Sequence, residues 1–108
     1  MTDYRKIYAD ATSPEWARGL ERLPPHMVDG MVRYIVQGVP PGSFMSAVLS
    51  GDLFGALRRA DDVNRNSLPE YGTFLSNYAP CGCFGSEDRF DEWVQAGGLR
   101  GFNREAAE

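Results

Sequence analysis

Apolar residues recur along this chain in short blocks with the spacing of a helix face, about 3.6 residues per turn, and proline, glycine and serine separate the blocks. The clearest block holds Val28, Met31, Val32, Ile35 and Val36, which predicts a helix from about Pro25 to Gln37. Gly38 supplies the left-handed residue that ends a helix, and Pro40-Pro41 forbids continuation. Upstream, Ser13-Pro14-Glu15 reads as a helix start, with a capping hydroxyl, a proline in the first turn and a carboxylate at the positive end.

Downstream, a helix starting at Ser43 carries Phe44, Ala47 and Val48 inward and breaks at Ser50-Gly51. Asp52 is placed to cap the next, with Leu53, Ala56, Leu57, Ala60 and Val63 on its inner face. Ser67-Leu-Pro-Glu70 has the spacing of a capping box, ahead of a stripe of Tyr71, Phe74, Leu75 and Tyr78 that Pro80 terminates. Ser86 begins the last helix, which turns Phe90, Trp93 and Val94 inward and closes at Gly97-Gly98. Connections of two to six residues predict an all-α fold, a compact bundle of five to six short helices. Residues 1–12 are expected to form a flexible N-terminal arm, 13–99 a single helical domain, and 100–108 a polar tail.

Composition narrows the function. The 108 residues suffice for one core, with 43% hydrophobic and 12% aromatic residues. Fifteen acidic against 11 basic residues give a net charge of −4, scattered along the chain, which argues against a nucleic-acid partner. No apolar run approaches the roughly 18 residues of a membrane span, and no apolar stretch follows the N-terminus, so a protein of the host-cell cytoplasm is expected. Cys81 and Cys83, one residue apart, are expected as reduced thiols in a loop, and with a single histidine, His26, they fall short of a zinc site. No metal and no cofactor are therefore expected.

No catalytic motif is present, and one exposed histidine leaves little acid–base chemistry, so an enzyme is not expected. Asp29 with Arg33, Asp61 with Arg65 and Arg58 with Asp62 read as surface ion pairs. Three features remain as binding candidates. Gly42-Ser43 opens a helix whose free N–H groups and hydroxyl suit a phosphate, with Phe44 beside it. Asn64 falls on an apolar stripe, where a buried amide needs a partner in backbone or ligand, and Arg65 follows it. Asn77 and Tyr78 open a loop that joins an aromatic face to the glycine-rich run ahead of Ser86.

The run from Arg33 to Leu99 resembles a group of small uncharacterised proteins of bacteriophages and prophages. The likeness rests on Arg33-Tyr34-Ile35, Gly42-Ser-Phe44, Ala47-Val-Leu49 with Asp52-Leu53, Arg59-Ala-Asp61 with Asn64, Asn77-Tyr-Ala-Pro80 and Phe84-Gly-Ser86, across about two-thirds of the chain. The resemblance carries no established functional residues. It implies a phage accessory role directed against bacterial defence. The expected activity is non-enzymatic: a homo-oligomer that sequesters a small anionic ligand such as a signalling nucleotide, through Gly42, Ser43, Phe44, Asn64, Arg65, Asn77 and Tyr78. The competing expectation is a protein-binding inhibitor of a host defence complex. A regulator of phage transcription is disfavoured by the charge.

Overall fold

The computed structural model describes residues 2–101; of the tail expected at 100–108, residues 100 and 101 are helical and 102–108 lie outside the described residues. Eight α-helices, a further helical run over 98–101 and three 3-10 turns are the regular elements of the described residues, and no strand occurs among them. The helices are α1 (Tyr4–Ala11), α2 (Pro14–Arg18), α3 (Val28–Gln37), α4 (Ser43–Leu49), α5 (Leu53–Arg59), α6 (Asp62–Asn66), α7 (Leu68–Asn77) and α8 (Glu87–Ala96). The fold is all-α as expected, with more and shorter helices than five or six.

The caps explain where the helices begin. Ser13 Oγ accepts from Trp16 N–H, Asp52 Oδ1 from Gly55 N–H and Ser86 Oγ from Arg89 N–H, each at 2.8–3.1 Å. Gly38 ends α3 at φ 72°, its N–H donating to the Tyr34 carbonyl while Val39 N–H reaches Arg33 O. The Gly38 bond to Tyr34 O is the five-residue closure of a left-handed αL stop.

Four expectations need correction. The arm predicted for 1–12 is largely helix: Asp3 caps α1 by accepting from Lys6 N–H, and α1 buries Tyr8 against the core. The long helix predicted after Asp52 is two, because the chain turns extended at Ala60 (ψ 135°) and Asp61 caps a new start at Asn64 N–H. Leu53 and Val63, assigned to its inner face, are 59% and 54% exposed. Ser67 makes no capping box: it also closes α6, donating its N–H to Val63 O and Asn64 O, and that near-helical backbone (φ −97°, ψ 2°) cannot aim its hydroxyl at the next turn.

The core is built around α3, which buries Met31, Val32, Tyr34, Ile35 and Val36, with α1 and α8 packed against it and α4 lying between α5 and α8. Three tyrosines sit inside because each hydroxyl has a partner there. Tyr34 donates to Cys83 O at 2.7 Å, Tyr71 to Asn64 Oδ1 at 2.9 Å and Tyr8 to Tyr78 O. Trp93 Nε1 is shared between the carbonyls of Tyr34 and Ile35 at 3.1 and 3.2 Å, which pins α8 to the end of α3. No helix among the described residues is long and apolar enough to cross a membrane.

Candidate functional site

The seven residues singled out from sequence fall into three places. Gly42 precedes α4 and makes no side-chain cap, and Ser43 is the first helical residue. Phe44 is only 6% exposed, its ring edge-on to Tyr71 with centroids 5.4 Å apart. Tyr71 in turn donates to Asn64, whose Nδ2 lies 3.9 Å from Met27 Sδ. Phe44 and Asn64 are thus joined through Tyr71 inside the core, and the Asn64 amide is occupied by side chains rather than by backbone. Replacing Tyr71 by phenylalanine is expected to strand Asn64 Oδ1 without a donor and cost about 1–3 kcal/mol, measured as a lower urea midpoint with unchanged slope.

Arg65 points away from Asn64. Its guanidinium pairs with Asp62 at 3.3 Å and reaches Ala60 O. Asp61 is spent on capping α6 and on a 4.0 Å approach to His26, so the expected Asp61–Arg65 and Arg58–Asp62 pairs do not form. Nor does Asp29 meet Arg33; its Oδ1 accepts from Gly30 N–H.

Ser43 opens instead on a cavity of about 480 Å³ shared with Ser46, Ser50, Asp52, Arg59, Glu87 and Asp91. Three carboxylates face one guanidinium there, and that guanidinium already donates to Gly55 O. A phosphate would meet net repulsion at this mouth.

Tyr78 lies elsewhere, and its setting is different. It borders a second cavity of about 480 Å³, lined by Glu15, Arg18, Gly19, Glu21, Arg22 and Tyr78. Its ring stacks on buried Phe74 (centroids 6.4 Å apart, 27° between planes) and Arg22 Cζ stands 5.7 Å from the ring centroid. Gly19 makes the approach possible, since a Cβ there would stand 2.7 Å from Tyr78 Cβ. The Tyr78 phenol and then the Glu70 carboxylate, 3.4 Å away, hold the Arg22 guanidinium above its ordinary pKa, so it stays charged throughout. Glu21 is paired with Arg5 at 3.2 Å. Arg18, exposed at the end of α2, has no hydrogen-bond or ion-pair partner among the described residues. Two arginines and an aromatic ring thus converge on this cavity, Arg22 paired with Glu70 and Arg18 without an ion-pair partner among the described residues, with Glu15 and Glu21 in the same lining. Asn77 does not reach this cavity; its Nδ2 donates to Thr73 O at 3.0 Å.

The cysteines divide by burial. Cys81 is exposed, whereas burial pushes the Cys83 thiol up to about 12, so it stays neutral and unreactive. Among the described residues no group of three or more histidine, cysteine, aspartate or glutamate side chains is placed to hold a metal ion. Arg18 and Arg22 were not singled out from sequence; their one signal is the spacing of four around Gly19, and nothing in it points to Tyr78. Comparison with protein-family models, with curated proteins and with solved structures finds no match.

Proposed function

We propose that this chain is a non-enzymatic accessory protein of the phage anti-defence kind, which binds and sequesters a small anionic ligand of the signalling-nucleotide class. The observation that carries this reading is the convergence of Arg18, Arg22 and the Tyr78 ring on one cavity. The chemistry suits the anionic part of such a ligand, because a planar guanidinium grips a phosphate through two parallel N–H donors. In this reading Tyr78, whose ring packs on Phe74 and lies under Arg22, holds the Arg22 guanidinium at the cavity, while Arg18 and Arg22 take the part first given to Arg65.

Thermal-shift screening against cyclic and ADP-ribose-type nucleotides tests the reading, because a ligand present at 100 times its Kd adds about 2.7 kcal/mol to stability. The expected outcome is a raised melting temperature with one class of nucleotide. Calorimetry on that ligand should show Arg18→Ala and Arg22→Ala each weakening affinity by roughly ten- to a hundredfold, the worth of a charge-assisted contact. Arg65→Ala should leave affinity unchanged. No heat with any nucleotide, together with stoichiometric inhibition of a purified defence complex, would reject the sponge in favour of the protein inhibitor.

A further inference from the structure

Asn64 carries the one buried side-chain amide among the described residues, and its two ends are served unequally. Oδ1 accepts from the Tyr71 hydroxyl at 2.9 Å. Nδ2 holds two N–H donors, and among the described residues its one acceptor is the Met27 sulfur, 3.9 Å away. A thioether is a weak acceptor, so this buried donor is poorly satisfied. Met27 and Asn64 face each other across the seam between the 3-10 turn Pro25–Met27 and α6. The other polar contact there, from His26 Nε2 to Asp61 Oδ2, is also long at 4.0 Å.

Met27 differs in two respects from the other methionines of the described residues. It is half-buried, whereas Met31 and Met45 are at most 1% exposed, so a small oxidant reaches the Met27 sulfur first. Its sulfur also faces a donor. Hydrogen peroxide oxidises a thioether by transferring one oxygen. A sulfur lone pair attacks one peroxide oxygen, the O–O bond breaks, and the departing hydroxide takes the proton from the new S–O–H group and leaves as water. Sulfur gives up two electrons, peroxide takes them, and methionine sulfoxide is formed. At 3.9 Å the sulfur stands far enough from Nδ2 for an oxygen bonded to it to reach ordinary hydrogen-bond distance, about 2.9 Å. The flexible methionine side chain can turn that oxygen toward the amide. A sulfoxide placed elsewhere in a core disrupts it by bringing in an unmatched polar group. Beside Asn64 the matching donor is already in place.

We propose that Met27 is a site of reversible oxidation by peroxide-class oxidants, and that Asn64 Nδ2 receives the sulfoxide oxygen so that the folded protein keeps its stability when modified. Peroxide treatment of the folded protein tests this, in a Cys81→Ser background because that exposed thiol would react too. Peptide mass mapping should find one added oxygen at Met27 before any at Met31 or Met45. The oxidised protein should melt no lower than the reduced one. The informative variant joins Asn64→Leu with Tyr71→Phe, since replacing both hydrogen-bond partners by apolar groups of similar shape leaves neither stranded. In that variant the sulfoxide has no donor, and oxidation should lower the melting temperature by about 4–8 °C, the worth of one hydrogen bond in a domain of this size. Met27→Leu should show no shift on peroxide treatment. Oxygen spread evenly over Met27, Met31 and Met45 would overturn the proposal, and so would an oxidised wild type that melts below its reduced form. The nucleotide reading stands or falls separately, because neither Met27 nor Asn64 lines the cavity of Arg18 and Arg22.

Discussion

Raising the pH past 10 should unfold this protein cooperatively. Tyr8, Tyr34, Tyr71 and Cys83 are each no more than 1% exposed. Burial lifts all four pKa values, with the Cys83 thiol adding to the effect on Tyr8 and Tyr34 and the Asp61 charge to that on Tyr71. The folded values lie above the unfolded ones, about 8.5–9 for the thiol and about 10 for the phenols. Stability from keeping these groups neutral is therefore complete below the unfolded values and is lost as pH rises toward the folded ones. Each group removes about 1.4 kcal/mol per pH unit in that window, so the four together remove roughly 5–6. A domain whose whole stability is about 5–15 kcal/mol cannot survive more than one to three such units. Far-UV circular dichroism followed alongside tyrosinate absorbance checks this: absorbance from the three buried rings should rise together with the loss of helix. Ionisation of all tyrosines in a chain that stays helical would refute it.

How much of this was legible in the sequence depends on whether a signal was local. The α3 stripe, its stop at Gly38 and the caps at Ser13, Asp52 and Ser86 are where the spacing placed them, because each involves neighbours within one or two turns. The helical arm was also written locally: Tyr4, Ile7, Tyr8 and Ala11 follow the helix period, but polar residues outnumber them. Ala60 misled for the opposite reason. Ala56, Ala60 and Val63 keep the period of a continuous helix, and only Asp61 recapping the chain at Asn64 N–H breaks it.

The candidate site was less legible, because its parts are far apart in sequence. Tyr78 was identified as an aromatic face, but the residues beside it come from sixty and fifty-six positions upstream, Arg18 and Arg22. What joins them is the packing of the 3-10 turn after α2 against α7, set by buried Leu20 and Phe74 and by the missing side chain at Gly19. Periodicity gives each element's inner face and says nothing about which faces meet. Asn64 shows the same limit. Its place on an apolar stripe predicted burial correctly, while its partner, the Tyr71 hydroxyl, could be known only once α6 and α7 were set side by side.

The glycine inside α3 and the one that ends it should respond to alanine in opposite directions. Gly38 holds φ 72° at the helix end, and a Cβ there would stand 2.7 Å from Gly98 N and 2.8 Å from Gly97 C. A left-handed conformation costs a residue with a side chain about 1–2 kcal/mol, and forcing an atom into a packed contact costs typically 1–3 more. The neighbour here is backbone, held in place by α8 through the Trp93 bonds to Tyr34 O and Ile35 O, so it has little room to yield. Gly38→Ala should lose about 2–5 kcal/mol. Gly30 lies inside the same helix with nothing within 4 Å of where its Cβ would be. Alanine there removes backbone freedom from the unfolded chain at no steric cost, and should gain about 0.5–1 kcal/mol. In a domain of this size each kilocalorie moves the melting temperature by about 4–8 °C. Calorimetric scans should therefore show Gly38→Ala melting at least about 8 °C below wild type and Gly30→Ala a few degrees above it. Equal shifts in the two variants would mean that α3 and α8 do not meet backbone to backbone at Gly38, and the anchoring of the last helix would have to be redrawn.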